Sequence, residues 1–217
     1  MVSMGRVAEP VKRRPYRSPL RDERARATRR RIIDAAAAQF LDRGYAATTV
    51  AAVAAQAGVS QDLVFRVFAT KRGLLKAVLD VGIGGDDAEV AVLDRAGPQA
   101  LRDEPSLRRQ IALFVAGISA QLTRVRPLDD MLRSAAAVEP ELAALRADIQ
   151  LRQRREAMTT VAGWLHGPLR PDIDAAGMLW TLTSPEVHHM LVENCGWSVE
   201  QYREWLQRTL EASLLPE

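Results

Sequence analysis

The stretch Ala54–Phe68, AAQAGVSQDLVFRVF, decides the fold. Gly58 and Ser60 cut an apolar, alanine-rich run into two pieces, and helices shorter than about 12–15 residues are marginal in water on their own. Thr48 or Thr49 can cap a helix over Val50–Ala57 that Gly58 stops; Ser60 then caps another over Gln61–Phe68. Two short helices joined by a tight glycine-containing turn, packed on a longer preceding helix, make a helix-turn-helix. Gly58 supplies the positive φ that turns the third helix away from the second.

The longer helix is present upstream. From Asp22 to Asp42 an arginine-rich start runs into Ile32, Ile33, Ala36, Ala37, Phe40 and Leu41, spaced as one face of an amphipathic helix, and Gly44 ends it. Residues 1–21 carry Pro10, Pro15 and Pro19 among Lys12, Arg13, Arg14, Arg17 and Arg21, with no apolar period. They read as a disordered basic arm, either a solvated tail or one that tracks DNA. Downstream, a fourth helix with Leu74, Leu75, Val78 and Leu79 meets a glycine cluster, Val81–Gly85, where a bend or break is expected. No Gly-Lys-Ser/Thr follows, so the cluster is not a phosphate loop. Beyond Pro98 the helical period returns over 106–125, 127–138, 140–166, 173–194 and 198–215, with Ser198 and Gln201 as a capping box and Pro185 kinking or restarting the penultimate helix. No hairpin signal or sustained period-two run interrupts it, so the fold class is all-α.

Charge is divided along the chain. The net charge is +3, but residues 1–76 hold 16 Lys+Arg against 6 Asp+Glu, leaving an acidic remainder. A cationic head on an anionic body points to a polyanion as partner of the head. With 47% hydrophobic and 26% charged residues the chain reads as soluble and globular. No window approaches the roughly 20 apolar residues of a membrane span, and the basic N-terminus lacks a secretory signal, so a cytoplasmic protein is expected. The single cysteine, Cys195, excludes an intrachain disulfide and a multi-thiolate metal site. His188 and His189 are adjacent and so diverge by about 100° on a helix, His166 is remote, and no metal or cofactor is expected. No nucleophile–base order, nucleotide loop or isolated carboxylate pair supports catalysis.

On the third helix, Val64, Val67 and Phe68 share one side, leaving Gln61, Asp62, Phe65, Arg66 and Ala69 for presentation. A helix of this width fits the major groove of double-stranded DNA, where arginine can bind guanine and glutamine adenine. Arg66 and Gln61 are the candidates for readout. Ser60, Thr48 and Thr49 sit at helix starts, where backbone N–H groups favour phosphate, and Lys71 follows as a point charge.

The run Ala27-Thr-Arg-Arg-Arg-Ile-Ile-Asp-Ala-Ala, Phe40, Gly44-Tyr45-Ala-Ala-Thr-Thr-Val-Ala-Ala-Val-Ala, Ala57-Gly-Val-Ser60, Phe68-Ala-Thr-Lys71 and Leu74-Leu75 resembles the DNA-binding region of TetR-family transcriptional regulators, over roughly residues 25–80. The resemblance implies a bacterial homodimer, usually a repressor, with an N-terminal helix-turn-helix domain over 22–70 and a helical ligand-binding and dimerisation domain over 71–217. It implies a palindromic DNA operator, a small-molecule effector and no enzymatic activity. Arg29 of the first helix joins the implied DNA contacts. The chain departs from the family pattern at Leu63, Phe65 and Val67, which lack a threonine hydroxyl, a tyrosine hydroxyl and an imidazole, and Asp62 brings a negative charge to the face. Binding should therefore lean on Arg66, Lys71 and the arginines of the arm and first helix. The alternative is a helical interaction or ligand-sensing protein whose degenerate recognition helix binds DNA nonspecifically.

In the acidic body, Leu179–His188 and Gly196–Leu206 resemble regulators of the same family, whose last two long helices pair with their twins. Leu179, Leu182, Leu191, Trp197, Trp205, Leu206, Leu210 and Leu214 supply apolar surface for such a dimer or for the core of one chain. Phe114, Ile118, Met131, Met158, Trp164, Met178, Trp180 and His188 are candidates for the walls of a ligand pocket. Coupling between domains is expected to run through the fourth helix.

Overall fold

The computed structural model describes residues 19–88 and 90–216. Among them are eleven α-helices and no strand. Helix α1 (Pro19–Ala47) starts before the expected Asp22, so residues 19–21 belong to it and not to the arm. Proline suits a first helical position, whose N–H has no intrahelical partner. The rest of the arm, with Lys12, Arg13, Arg14 and Arg17, lies outside the described residues. At Gly44 (φ 75°, ψ 172°) the helical path breaks where a cap was expected, and one more turn reaches Ala47.

Helices α2 (Val50–Ala57) and α3 (Gln61–Phe68) have the predicted bounds. Of the two threonines, Thr49 is the cap, its Oγ1 accepting from Ala52 N–H at 3.1 Å. Thr48 is buried, and its hydroxyl donates to the carbonyls of Gln39 (2.9 Å) and Gly44 (2.8 Å), closing the break in α1. Gly58 is left-handed (φ 67°, ψ 40°), and Ser60 Oγ accepts from Leu63 N–H at 3.2 Å. Ala69 (φ 61°, ψ −46°) ends α3 in a γ-turn, with Thr70 N–H donating to Phe68 C=O at 2.7 Å. Thr70 then caps α4 (Lys71–Gly84). A Cβ at Gly73 would collide with the Phe68 carbonyl, so the α3–α4 corner requires glycine there. Helix α4 runs through Gly82 and stops at Gly84, so the glycine cluster acts as a terminus.

A 3₁₀ turn (Val92–Asp94) leads into α5 (Ala96–Asp103), a helix not expected from the sequence because Pro98 looks like a boundary. Pro98 falls in the first turn, where a missing N–H is harmless. Helix α6 (Leu107–Ala136) is continuous through Pro127, where two helices were expected. Pro127 and Thr123, whose carbonyl loses its partner, both face solvent, so water can satisfy that carbonyl. At 30 residues α6 is about 45 Å long. It is the spine of the molecule. Its C-terminal half sends Leu128 and Leu132 into a core with α1–α4, and its N-terminal half sends Ile111, Phe114, Val115, Ile118 and Leu122 into a second core.

Helix α7 (Pro140–Ala147) passes through a π-helical stretch (Asp148–Gln153) into α8 (Arg154–Gly163). Leu142, Leu145 and Ile149 join the first core, while Met158 and Val161 join the second. Helix α9 (Ala175–Leu182) ends before Ser184, which caps α10 (Pro185–His189), so Pro185 restarts the helix; a second π-helical stretch (Met190–Asn194) follows. Helix α11 (Val199–Leu214) opens with the expected Ser198/Gln201 capping box. Buried Gln110 ties this core together, donating to the carbonyls of Leu101 (3.1 Å) and Trp164 (2.8 Å) and accepting from His166 N–H (2.7 Å).

Candidate functional site

Helix α3 packs through Val64 and Phe68 with Leu63 half-buried, and presents Gln61, Asp62, Phe65, Arg66 and Val67. Val67 was expected on the packed side; it is 38% exposed, beside Phe65 at 42%. It sits at the margin of the packed stripe, and one short helix covered only along Val64 and Phe68 leaves that margin open. Val67 is thus a member of the presented face that the helical wheel alone missed. The face combines one cation, one carboxylate, one amide and two apolar side chains.

Around it, Arg29 of α1 lays its guanidinium over the Phe68 ring, 4.9 Å from the centroid, which brings a cation to the end of α3. Lys71 Nζ lies 4.2 Å from the centroid of the Tyr45 ring and donates to Ala46 C=O at 3.3 Å, at the end of α1. Partial burial holds its pKa below the ordinary lysine value, against the pull of Glu139. Lys71 is a tie between α4 and α1 as well as a surface charge. Thr49 and Ser60 are exposed caps. Thr48 stands apart from this group, since its hydroxyl is buried against two carbonyls.

The residues proposed for a ligand pocket do not surround one cavity. Phe114, Ile118 and Met158 are core, Trp164 and Met178 pack on that same core, and Met131 packs on the other. His188 is buried edge-on to Tyr202, ring centroids 4.8 Å apart. Only Trp180 of the eight lines the main cleft, a space of about 510 Å³ whose walls include Ala143, Arg146, Gln150, Arg154 and Glu186. Met and Trp at helical spacing are candidates for pocket walls and for core alike, and here most of them build the core.

The dimer candidates divide similarly. Leu179, Leu206, Leu210 and Leu214 are buried within the chain, because α11 turns its stripe of the last three onto α6 and onto α9, which carries Leu179. Leu182, Leu191 and Trp205 are half-buried, and Met190 is 53% exposed nearby in sequence. Trp197 stacks edge-on against Trp205 at 6.1 Å. Among the described residues no cluster of three or more His, Cys, Asp or Glu side chains could hold a metal, and no helix is long and apolar enough to cross a membrane.

Residues 32–78 match the family model described as bacterial regulatory proteins, tetR family. Over 54 residues the chain is 44% identical to an uncharacterized HTH-type transcriptional regulator, YvkB, of Bacillus subtilis (strain 168); the match spans 25% of this chain and 29% of that protein. The fold extends further. NalD, the secondary repressor of the MexAB-OprM multidrug efflux pump in Pseudomonas aeruginosa, superposes with a TM-score of 0.59 at 18% identity, over 90% of this chain and 99% of that one. FadR from Bacillus subtilis, in complex with stearoyl-CoA, does so with a TM-score of 0.57 at 17% identity, over 83% of this chain and 96% of that one. The N-terminal segment is therefore that of TetR-family transcriptional regulators, and the all-helical fold around it is shared over most of the chain with NalD and FadR.

Proposed function

We propose that the protein is a homodimeric, effector-responsive repressor that places α3 in the major groove of a palindromic operator. The observation that carries this is the presented face of α3: Gln61, Asp62, Phe65, Arg66 and Val67 stand clear of the head's core on a helix capped at both ends. Arg66 donates to guanine, Gln61 pairs with adenine, and Phe65 and Val67 offer apolar contact to thymine methyl groups. Thr49 and Ser60 expose helix N-termini to phosphates, with Arg29 and Lys71 as flanking cations. Asp62 lies in the first turn of α3, where a carboxylate favours the helix dipole and limits affinity for sequences that bring phosphate near it.

The half-buried surface of Leu182, Leu191 and Trp205 with exposed Met190 would pair with a second copy. Repression is supported by the likeness to NalD, and a small effector by the likeness to FadR bound to stearoyl-CoA. The setting is the cytoplasm, at the nucleoid. An effector acts only through tighter binding to one spacing of the two heads. The route favoured by the packing is α6, α7 and the π-helical stretch after α7, whose Leu128, Leu132, Leu142, Leu145 and Ile149 complete the core of the head, together with α4.

Arg66→Ala tests the readout on duplexes that the wild type retains from a random pool, by fluorescence anisotropy. A loss of about 1–3 kcal/mol confined to duplexes with guanine at one position is expected. An equal loss on every sequence would assign Arg66 to the backbone.

A further inference from the structure

The cleft behind the head holds a buried guanidinium that no carboxylate of the described residues contacts. Arg146 is paired with carboxylates, its Nη2 donating to Glu186 (2.5 Å) and to buried Asp129 (3.4 Å), although its Nε is buried without a partner. Arg154, on the same wall, is different. Its Nη2 donates to the Trp180 carbonyl and to Thr183 Oγ1 (3.1 Å), both at the C-terminal end of α9. Nε is buried without a partner, Nη1 has none among the described residues, and no carboxylate there comes within 4.0 Å. A helix C-terminus offers roughly half a negative charge, which accounts for Nη2 and leaves the guanidinium without a directly paired carboxylate, Glu186 and Asp129 acting on it only from beyond contact. Burial accordingly drives its pKa down to about 10, with distant Glu186 opposing.

The surroundings fit an amphipathic guest. Trp180 forms a flat apolar wall, fixed by its Nε1 donating to Gln150 C=O at 3.1 Å. The π-helical turn at Asp148–Gln153 breaks the regular carbonyl ladder there, as such turns do at functional sites. The guanidinium carbons of Arg154 and Arg155 lie 5.7 and 5.6 Å from the centroid of the Trp180 ring, adding cations at its rim. The space of about 510 Å³ is in the range of small-molecule sites.

The geometry points to an organic anion as the occupant: a carboxylate, sulfonate or phosphate on Arg154, its apolar body against Trp180. This rests on the effector-responsive reading and names the chemical class of the effector. It also places the effector on α7 and the π-helical stretch that continues it, whose opposite face (Leu142, Leu145, Ile149) fills the core of the head.

The test is direct binding to the full chain without DNA, using two fluorescent probes that differ by one charged group: 1-anilinonaphthalene-8-sulfonate and neutral N-phenyl-1-naphthylamine. The sulfonate should bind at least about ten-fold tighter, a preference of about 1.4 kcal/mol. Arg154→Met should abolish that preference while leaving the neutral probe within about two-fold, and Arg154→Lys should retain part of it. Retained binding of the neutral probe shows that the variant is folded. Equal affinity of the two probes, absence of sulfonate binding, or a preference that survives Arg154→Met overturns the assignment. Release of DNA is measured separately, so a protein that binds the sulfonate through Arg154 but never releases DNA would keep the anion site and refute effector control.

Discussion

Lys71 links the fold of the head to its proposed contact with DNA, and one substitution separates the two roles. Lys71→Met keeps the aliphatic stem over Tyr45 and removes the ammonium, which stands 4.2 Å from the ring centroid and donates to Ala46 C=O. A cation on an aromatic face contributes about 0.5–1 kcal/mol at a partly exposed site, and a lysine at a helix C-terminus about 0.3–1 kcal/mol. The expected destabilisation is therefore about 1–2 kcal/mol, or a fall in Tm of about 2–8 °C for a chain of this size. The effect on DNA is read from salt dependence. Each phosphate contact contributes about 0.9 to the slope of log K against log salt, so losing one per protomer should flatten the slope of a dimer by about 2. Thermal melting and anisotropy titrations at four salt concentrations measure both. A lowered Tm with an unchanged slope would make Lys71 a structural tie alone and remove it from the DNA surface.

Three further outcomes follow from the packing and the caps. Leu145→Ala, at a site 3% exposed, should cost about 2–5 kcal/mol in urea unfolding, whereas Leu113→Ala on the 42% exposed face of α6 should stay within about 0.5 kcal/mol; a loss below 1 kcal/mol at Leu145 would deny α7 its place in the core of the head. Ser60→Ala removes the oxygen that accepts from Leu63 N–H and should cost about 1 kcal/mol, while Ser60→Asp, which keeps an acceptor, should not lower Tm. At His188, burial first and then Arg126 hold the imidazole below its ordinary pKa of 6.5. The unfolded chain then takes up the proton more readily, so stability is full above about pH 6.5 and declines as pH falls below it. His188→Gln should flatten this decline between about pH 7.5 and 5.5, and parallel curves for the two proteins would show that His188 is not its source.

The head was readable from sequence because its signals are local. Thr49, Gly58, Ser60 and Thr70 act within three or four residues, and those contacts set the bounds of α2, α3 and α4. Where packing across the chain decides, local sequence leaves the outcome open or points the wrong way. Pro98 and Pro127 looked like boundaries, yet one sits in a first turn and the other on a solvent face. Leu179, Leu206 and Leu210 have the stripe of a dimer face and the burial of a core, and periodicity is identical for both. Arg154 gave no signal at all: one arginine among many, it becomes distinctive only when the fold withholds a carboxylate from it. Thr48 and Thr49 lie in the non-helical junction between α1 and α2, and with Thr49 extended (φ −110°, ψ 149°) neighbouring side chains point to opposite sides, which turns one inward and one outward.

Selection of bound duplexes from a random DNA library, repeated at two salt concentrations, decides whether the head reads sequence or only charge. A two-fold symmetric site, with half-sites about one helical turn apart or somewhat more, retained at the higher salt concentration, is the predicted result. Enrichment of no sequence, with binding that collapses as salt rises, would contradict it and leave a cationic head that recognises only the DNA backbone.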